Sequence, residues 1–112
     1  EADTDAGQAC DRLASVPSAP DVRIMGVAIE EIDTSQAIQV CQEAIYENPD
    51  QPRYLFQIAR AFLSAKRLDE AREKAEAALS KNYPMANVIL GYLNGLNAND
   101  ADAQKAATSS YI

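Results

Sequence analysis

Hydrophobic residues recur at three- and four-residue steps in five stretches of the chain, which is the spacing of one helix face. Residues that start or stop helices separate these stretches. Asp33 or Thr34 can cap the second helix, Pro52 suits the first turn of the third, and Pro84 follows the fourth. The predicted helices span about residues 5–16, 34–48, 52–64, 68–81 and 85–94, and a weak sixth begins at Asp100.

The segment from Pro17 to Ile32 interrupts the helical pattern. It contains Pro17, Pro20 and Gly26, and its apolar residues follow no helical period. We therefore predict a long ordered loop whose apolar side chains dock on the helices. The longest apolar run, residues 25–29, is far too short to cross a bilayer, so no direct membrane insertion is expected.

Composition places the chain among globular proteins, since its 112 residues suit one domain and 47% of them are hydrophobic. The net charge is −7, which makes nucleic acid and anionic membranes poor partners. The charge is uneven, because residues 1–50 carry −9 and residues 51–112 carry +2. The two halves are expected to face different neighbours, unless the acidic half serves only solubility.

Catalysis is not expected, because the chain has no histidine and so lacks imidazole bases, His-ligated zinc and Ser-His or Cys-His pairs. Glu30 and Glu31 form the only candidate acid–base pair, and adjacent carboxylates in a loop are more typical of a solvated surface. There is no phosphate-binding glycine loop and no metal-ligand spacing. The sequence therefore predicts neither an enzyme nor a bound cofactor or metal.

The two cysteines, Cys10 and Cys41, admit three interpretations: two unrelated buried thiols, a structural disulfide, or a reactive thiol with a bystander. A disulfide implies an oxidising compartment, whereas free thiols indicate the cytoplasm. The sequence starts at Glu1 without a methionine, and we expect that an upstream segment such as a signal peptide has been removed or is not shown.

The second and fourth helices share a skeleton of small residues at an offset of 34 positions: Ala37, Cys41 and Ala44 against Ala71, Ala75 and Ala78. Between them, Leu55-x2-Ile58-Ala59-x2-Phe62 recurs more weakly 32 residues later, around Leu90-Gly91. From about Ile32 to Leu96 the chain resembles the tetratricopeptide repeat, a 34-residue helix pair. The alternative is a chance alanine-rich hairpin.

Two further stretches resemble the Sel-like relative of this repeat in bacterial envelope proteins. They are Ala86-Asn87-x2-Leu90-Gly91 and the entry from Cys10 through a proline-containing loop to Asp33. This resemblance implies a periplasmic or secreted bacterial protein.

The resemblance implies an all-α fold, a short right-handed α-solenoid of antiparallel helix hairpins. Residues 1–32 would form an amino-terminal capping helix and loop, and residues 33–112 the repeats. The region before the second helix cannot supply that helix's usual partner. We expect the helix bearing Cys10 to cover it instead, which brings Cys10 to Cys41 and favours the disulfide.

In this family the first helices of successive pairs line a concave groove that binds peptides. The resemblance therefore implies a non-catalytic adaptor or scaffold with a protein or peptide partner. Alternatives are an accessory region of a larger enzyme, or a self-association module that forms a homo-oligomer. The predicted groove consists of Arg53, Phe56, Arg60, Leu63, Met85, Val88 and Tyr92, unless the loop or further repeats cover its apolar members.

Overall fold

The computed structural model describes residues 5–14 and 29–97, and this part of the chain is helical and contains no strand. Five helices confirm the all-α fold and the positions of the five main predicted helices. The predicted sixth helix and nearly all of the predicted loop lie outside the described residues. The helices are α1 (Asp5–Ala14), α2 (Thr34–Glu47), α3 (Pro52–Ser64), α4 (Leu68–Ser80) and α5 (Ala86–Asn97).

Local sequence explains where α2 and α3 begin. The Asp33 side chain accepts a hydrogen bond from the Gln36 backbone N–H at 3.3 Å, so a carboxylate satisfies one of the free amides of the first turn of α2. At α3, Pro52 occupies the first turn, where its missing N–H costs nothing, and the Gln51 side chain accepts from the Arg53 N–H at 3.2 Å.

The α3–α4 and α4–α5 connections use the same turn. After α3, Lys66 has a φ of 66° and Arg67 N–H bonds back to the Phe62 carbonyl. After α4, Asn82 has the same φ and Tyr83 N–H bonds back to the Ala78 carbonyl. Both are left-handed helix caps that close the last turn and reverse the chain at once. They fix α3, α4 and α5 as successive antiparallel neighbours.

At the centre of the fold is α3, which packs against α1, α2, α4, α5 and a 3₁₀ turn at Ile29–Glu31. Every residue from Arg53 to Leu63 is buried as a result. The helices around α3 contribute mainly alanine to the core, and this lets their backbones approach closely. The buried alanines of α2, α4 and α5 are Ala37, Ala44, Ala71, Ala75, Ala78 and Ala86.

Two local predictions differ from the structure. The expected break at Gly95 does not end α5, which continues to Asn97, because an isolated glycine costs a helix only about 1 kcal/mol and no proline follows. The 3₁₀ turn at Ile29–Glu31 lies within the predicted loop, and it packs against α3. Within the described ranges, no helix is both long and apolar enough to span a bilayer.

Candidate partner-binding surface

A row of polar side chains runs along one face of the buried helix α3. Its members, Arg53, Gln57, Arg60 and Ser64, follow one another at steps of four, three and four residues, so they share one face. We call this set the α3 polar row. Each of its side chains donates a hydrogen bond to α1 or to the 3₁₀ turn. The row is thus an internal docking surface for the amino-terminal elements.

The first half of the row binds Asp11 of α1. Arg53 contacts both carboxylate oxygens, with Nε to Oδ1 at 3.0 Å and Nη2 to Oδ2 at 3.2 Å. Gln57 Nε2 donates to the same carboxylate at 3.0 Å and lies 3.2 Å from Cys10 Sγ. The Arg53 guanidinium also lies 5.1 Å from the Tyr54 ring centre. A two-point ion pair with further polar contacts is the arrangement that makes a buried charge tolerable.

The second half of the row binds backbone carbonyls. Arg60 Nη1 donates to the Ala14 carbonyl, at the last residue of α1, at 2.8 Å. Ser64 Oγ donates to the Ile29 carbonyl at 2.8 Å. Residues 14 and 29, which flank the undescribed stretch 15–28, are therefore both held by one turn of α3.

Arg60 is the member of the α3 polar row whose hydrogen bonds are incomplete. Only 2% of it is exposed, and its second terminal nitrogen, Nη2, has no hydrogen-bond partner among residues 5–14 and 29–97. Burial lowers the pKa of Arg60 to about 10, an effect that the nearby charge of Glu30 partly opposes. The side chain is still charged at neutral pH, so the fold buries a cation whose hydrogen bonds are incomplete.

A disulfide joins α1 to α2. Cys10 and Cys41 are bonded, their Cα atoms lie 4.9 Å apart, and neither is exposed to solvent. The expectation that the Cys10 helix covers the small-residue stripe of α2 is confirmed by this bond and by the packing of α1 on α2. Of the three interpretations of the cysteines, the structure has the disulfide.

The structure separates the predicted groove into two groups. Arg53, Phe56, Arg60 and Leu63 are buried, with exposures of 7%, 1%, 2% and 5%. The two arginines turn to α1, and the Phe56 ring packs on Tyr83 at 5.5 Å. This differs from the expectation of an open groove, because α1 and the turn after α4 use these side chains internally.

Met85, Val88 and Tyr92 are half-buried and remain accessible. Val88 and Tyr92, four residues apart, share one face of α5, and Met85 immediately precedes the helix; we call these three residues the α5 surface. No residue of α5 carries a charge from Ala86 to Asn97. Along the α5 surface, a partner would meet apolar and aromatic groups.

Sequence reasoning missed Asp11, Gln57 and Ser64 as members of the buried network. The spacing of Arg53, Gln57, Arg60 and Ser64 was the available signal, since four polar residues on one face of an otherwise apolar helix need partners. Over residues 5–14 and 29–97, no three acidic, cysteine or histidine side chains group as metal ligands do.

The family model of the tetratricopeptide repeat matches residues 28–84, just over half of the 112 residues. The chain belongs to the tetratricopeptide repeat family. Such repeats generally mediate protein–protein interaction and are typically not catalytic. No curated protein and no solved structure matches the chain.

Membership in the tetratricopeptide repeat family explains the order of the helices. The complete repeat is the α3–α4 hairpin, in which Ala59 of α3 and Ala71, Ala75 and Ala78 of α4 are fully buried. Small residues at these positions let two antiparallel helices approach closely. α2 precedes this hairpin and α5 follows it, and α1 packs on α2 and α3. In this arrangement α1 stands where the first helix of the preceding repeat would lie.

Proposed function

We propose that this protein is a non-catalytic adaptor or scaffold that binds a peptide segment of a partner protein. The observation that carries the proposal is the α5 surface, in which Met85, Val88 and Tyr92 remain accessible on a helix without charges. Aromatic and long apolar side chains that are already partly fixed by packing are typical anchors for a bound peptide. Met85 and Tyr92 both pack against the core and so lose little freedom on binding.

Within the predicted groove, we propose that the α5 surface makes the first contacts with the partner. Arg53, Phe56, Arg60 and Leu63 lie behind it in the interior. They support the helices that carry the surface, and they reach a partner only if the elements that cover them move away. A peptide with two apolar side chains about one helical turn apart fits the spacing of Val88 and Tyr92.

We propose that the protein works in the bacterial periplasm, after removal of a signal peptide, as a Sel-like member of its family. The disulfide between Cys10 and Cys41 supports an oxidising compartment. The Ala86-Asn87-x2-Leu90-Gly91 sequence supports the Sel-like assignment. Thiol counting on denatured, unreduced protein isolated from its native host tests the compartment: no free thiol is expected, and two would place the protein in a reducing compartment.

The binding surface is tested with a pair of tyrosine variants. Peptides are selected from a displayed random library on the unmodified chain, and the affinity of the tightest one is measured by fluorescence anisotropy. Tyr92→Ala should weaken binding at least about tenfold, because it removes an aromatic anchor. Tyr46→Ala is the matched control, since Tyr46 lies on α2 and is 87% exposed.

Two results would contradict the proposal: equal losses in the two variants, or no selected peptide at all. Light scattering of the chain alone separates peptide binding from self-association. A dimer that Tyr92→Ala converts to a monomer would assign the α5 surface to a second copy of the chain.

A further inference from the structure

The attachment of α1 to the rest of the fold depends little on hydrophobic burial. Its buried residues are all small or polar, and Leu13 is only half-buried. Hydrophobic stabilisation grows with the apolar area removed from water, and a ten-residue helix is marginal on its own. The docking of α1 therefore relies on the disulfide and on hydrogen bonds. The buried residues of α1 are Ala6, Gly7, Cys10, Asp11 and Ala14.

The hydrogen bonds that Arg53, Gln57 and Arg60 make to α1 share one direction. In those to Asp11, Cys10 and the Ala14 carbonyl, α3 donates and α1 accepts. The surface beneath α1 therefore presents two guanidinium groups and an amide at helical spacing. Its chemical complement is a helix that carries a carboxylate near its carboxyl-terminal end, as α1 does with Asp11.

Arg60 shows that α1 does not use this surface fully. Within the part of the chain that the structure describes, its Nη2 atom is buried and finds no acceptor, although it lies beside the last carbonyl of α1. A buried donor without an acceptor destabilises the structure that contains it. A helix that offers one more acceptor at this point would complete the set that α1 leaves open.

We propose that α1 is a cover released by reduction: a dithiol cleaves the Cys10–Cys41 bond, α1 leaves α3, and an acidic helix of a partner protein binds the α3 polar row in its place. This goes beyond peptide binding at the α5 surface, which includes no residue of α1. The failure of either proposal leaves the other standing.

The redox step is ordinary thiol–disulfide exchange. A thiolate of the dithiol attacks Cys41 Sγ, forms a mixed disulfide and displaces Cys10 as a thiolate, which then takes up a proton. The second thiol of the dithiol attacks the mixed disulfide and releases Cys41, so the dithiol leaves as its own disulfide. Two electrons and two protons pass to the cysteine pair.

The structure favours Cys10 as the leaving group, because the Gln57 amide N–H lies 3.2 Å from its sulfur and stabilises negative charge there. The orientation of this amide is set by Asp11, whose carboxylate only accepts. Both cysteines are fully buried, so exchange requires a transient opening of α1. Reduction then removes the bond that pulls α1 back.

Hydrogen exchange tests the release. The full chain is compared with and without dithiothreitol, and the Cys10→Ala/Cys41→Ala variant is measured without reductant. We expect amides of residues 5–14 to lose at least about 100-fold of their protection in both reduced states and to end at least about tenfold less protected than residues 55–63, whose protection falls only with the global free energy of unfolding. Unchanged protection of α1 would overturn the proposal, and so would equal remaining protection in α1 and α3, since the two helices would then open only together.

Peptide binding tests the freed surface. The probe is the α1 sequence, residues 5–14, with alanine at position 10, a blocked amino end and a free carboxylate at Ala14, which offers Arg60 Nη2 the second acceptor that tethered α1 lacks. It should bind the reduced chain and the double variant but not the oxidised chain, and an Asp11→Asn probe should bind at least about tenfold more weakly.

Equal binding of the two probes, or no binding to a chain whose α1 is released, would refute the acidic-helix site. A reduced chain that dimerises in light scattering would instead give the site to α1 of a second copy, and would overturn the assignment to a partner protein.

Discussion

The junction of α1 with α2 and α3 and the stack of α3, α4 and α5 share the central helix α3 but are held by different forces. At the junction, a disulfide, an ion pair and side-chain hydrogen bonds connect mostly small residues. In the stack, α3 and α4 meet through alanines and large apolar side chains, and the side-chain bond between α4 and α5 is an exposed one, from Arg72 to Asn94 at 3.4 Å.

The difference follows from how the helices are connected. The same left-handed cap ends α3 and α4, and the short connections at residues 65–67 and 81–85 place each helix beside its neighbour, where close packing completes the contact. α1 ends at Ala14, whereas α2 begins only at Thr34. A longer connection costs more entropy to close, and α1 buries too little apolar surface to offset it. The disulfide, the ion pair and the hydrogen bonds therefore hold α1 in place.

The largest expected effect comes from Arg53→Ala, which removes the bidentate arginine from the buried Asp11 carboxylate. We expect the free energy of unfolding to fall by about 3 to 5 kcal/mol, measured by urea denaturation. The matched control is Glu70→Ala, which removes the exposed pair with Arg67 that a single helix turn brings together and leaves the Arg67 guanidinium over the Phe62 ring. It should barely move the midpoint. If the two variants lose similar stability, the buried network is not what holds the junction.

Removing the disulfide should be the next largest perturbation. In the loop-entropy description, a cross-link between residues 31 apart contributes about 3 to 4 kcal/mol. The Cys10→Ala/Cys41→Ala variant should lose about that much in urea denaturation. A loss below about 1 kcal/mol would mean that the unfolded chain already keeps α1 close to α2.

The stability of the α3–α4–α5 stack should depend on the volume of its buried side chains and not on charge. Ala75→Leu places a large side chain at a fully buried position of α4, and we expect a loss of about 1 to 3 kcal/mol, since close-packed helices cannot separate freely. The control, Ala77→Leu, lies on the same helix at a half-buried position and should lose less. Equal thermal midpoints for the two variants would show that the stack is loosely packed.

Arg60→Met is expected to have the smallest effect at neutral pH. It gives up the hydrogen bond to the Ala14 carbonyl but removes a buried, incompletely paired cation, so stability should stay within about 1 kcal/mol of the parent.

The direction in which stability changes at high pH tests whether the Arg60 charge is buried. Burial lowers the pKa of Arg60 to about 10 in the folded chain, below its ordinary value in the unfolded chain. Between these two values the unfolded chain binds more protons, so the parent should gain stability relative to Arg60→Met as the pH rises above about 10. Urea denaturation of both proteins along a pH series measures this difference. A relative loss of stability would contradict the burial of charge at this position.

The helices could be predicted from the sequence because the features that start and stop them are local. Asp33 before a helical stripe and Pro52 in a first turn act within one turn of helix. The repeat was readable because close helix contact demands small residues such as Ala71 and Ala75 at a fixed spacing. These features predicted the all-α fold, the boundaries of most helices and the family.

The burial of more than half of the predicted groove could not be predicted from the sequence, because it depends on contacts between residues about 45 positions apart. From the sequence, Arg53 and Arg60 are two cations on a helix face, and a peptide or an internal helix satisfies them equally well. The ion pair with Asp11 shows that an internal helix is the partner of Arg53. No sequence pattern within one helix connects these two residues. The accessibility of Met85, Val88 and Tyr92 likewise depends on how α5 packs against the rest of the fold.

The sequence by itself thus determined the helices, their pairing in a repeat and the absence of histidine chemistry, since spacing and composition act over short distances. Only the tertiary structure decided that α1 occupies the polar face of α3, that Cys10 reaches Cys41, and that four of seven candidate residues are internal. Burial is a property of the assembled chain: it depends on which distant segment covers a side chain, and local sequence does not carry that information.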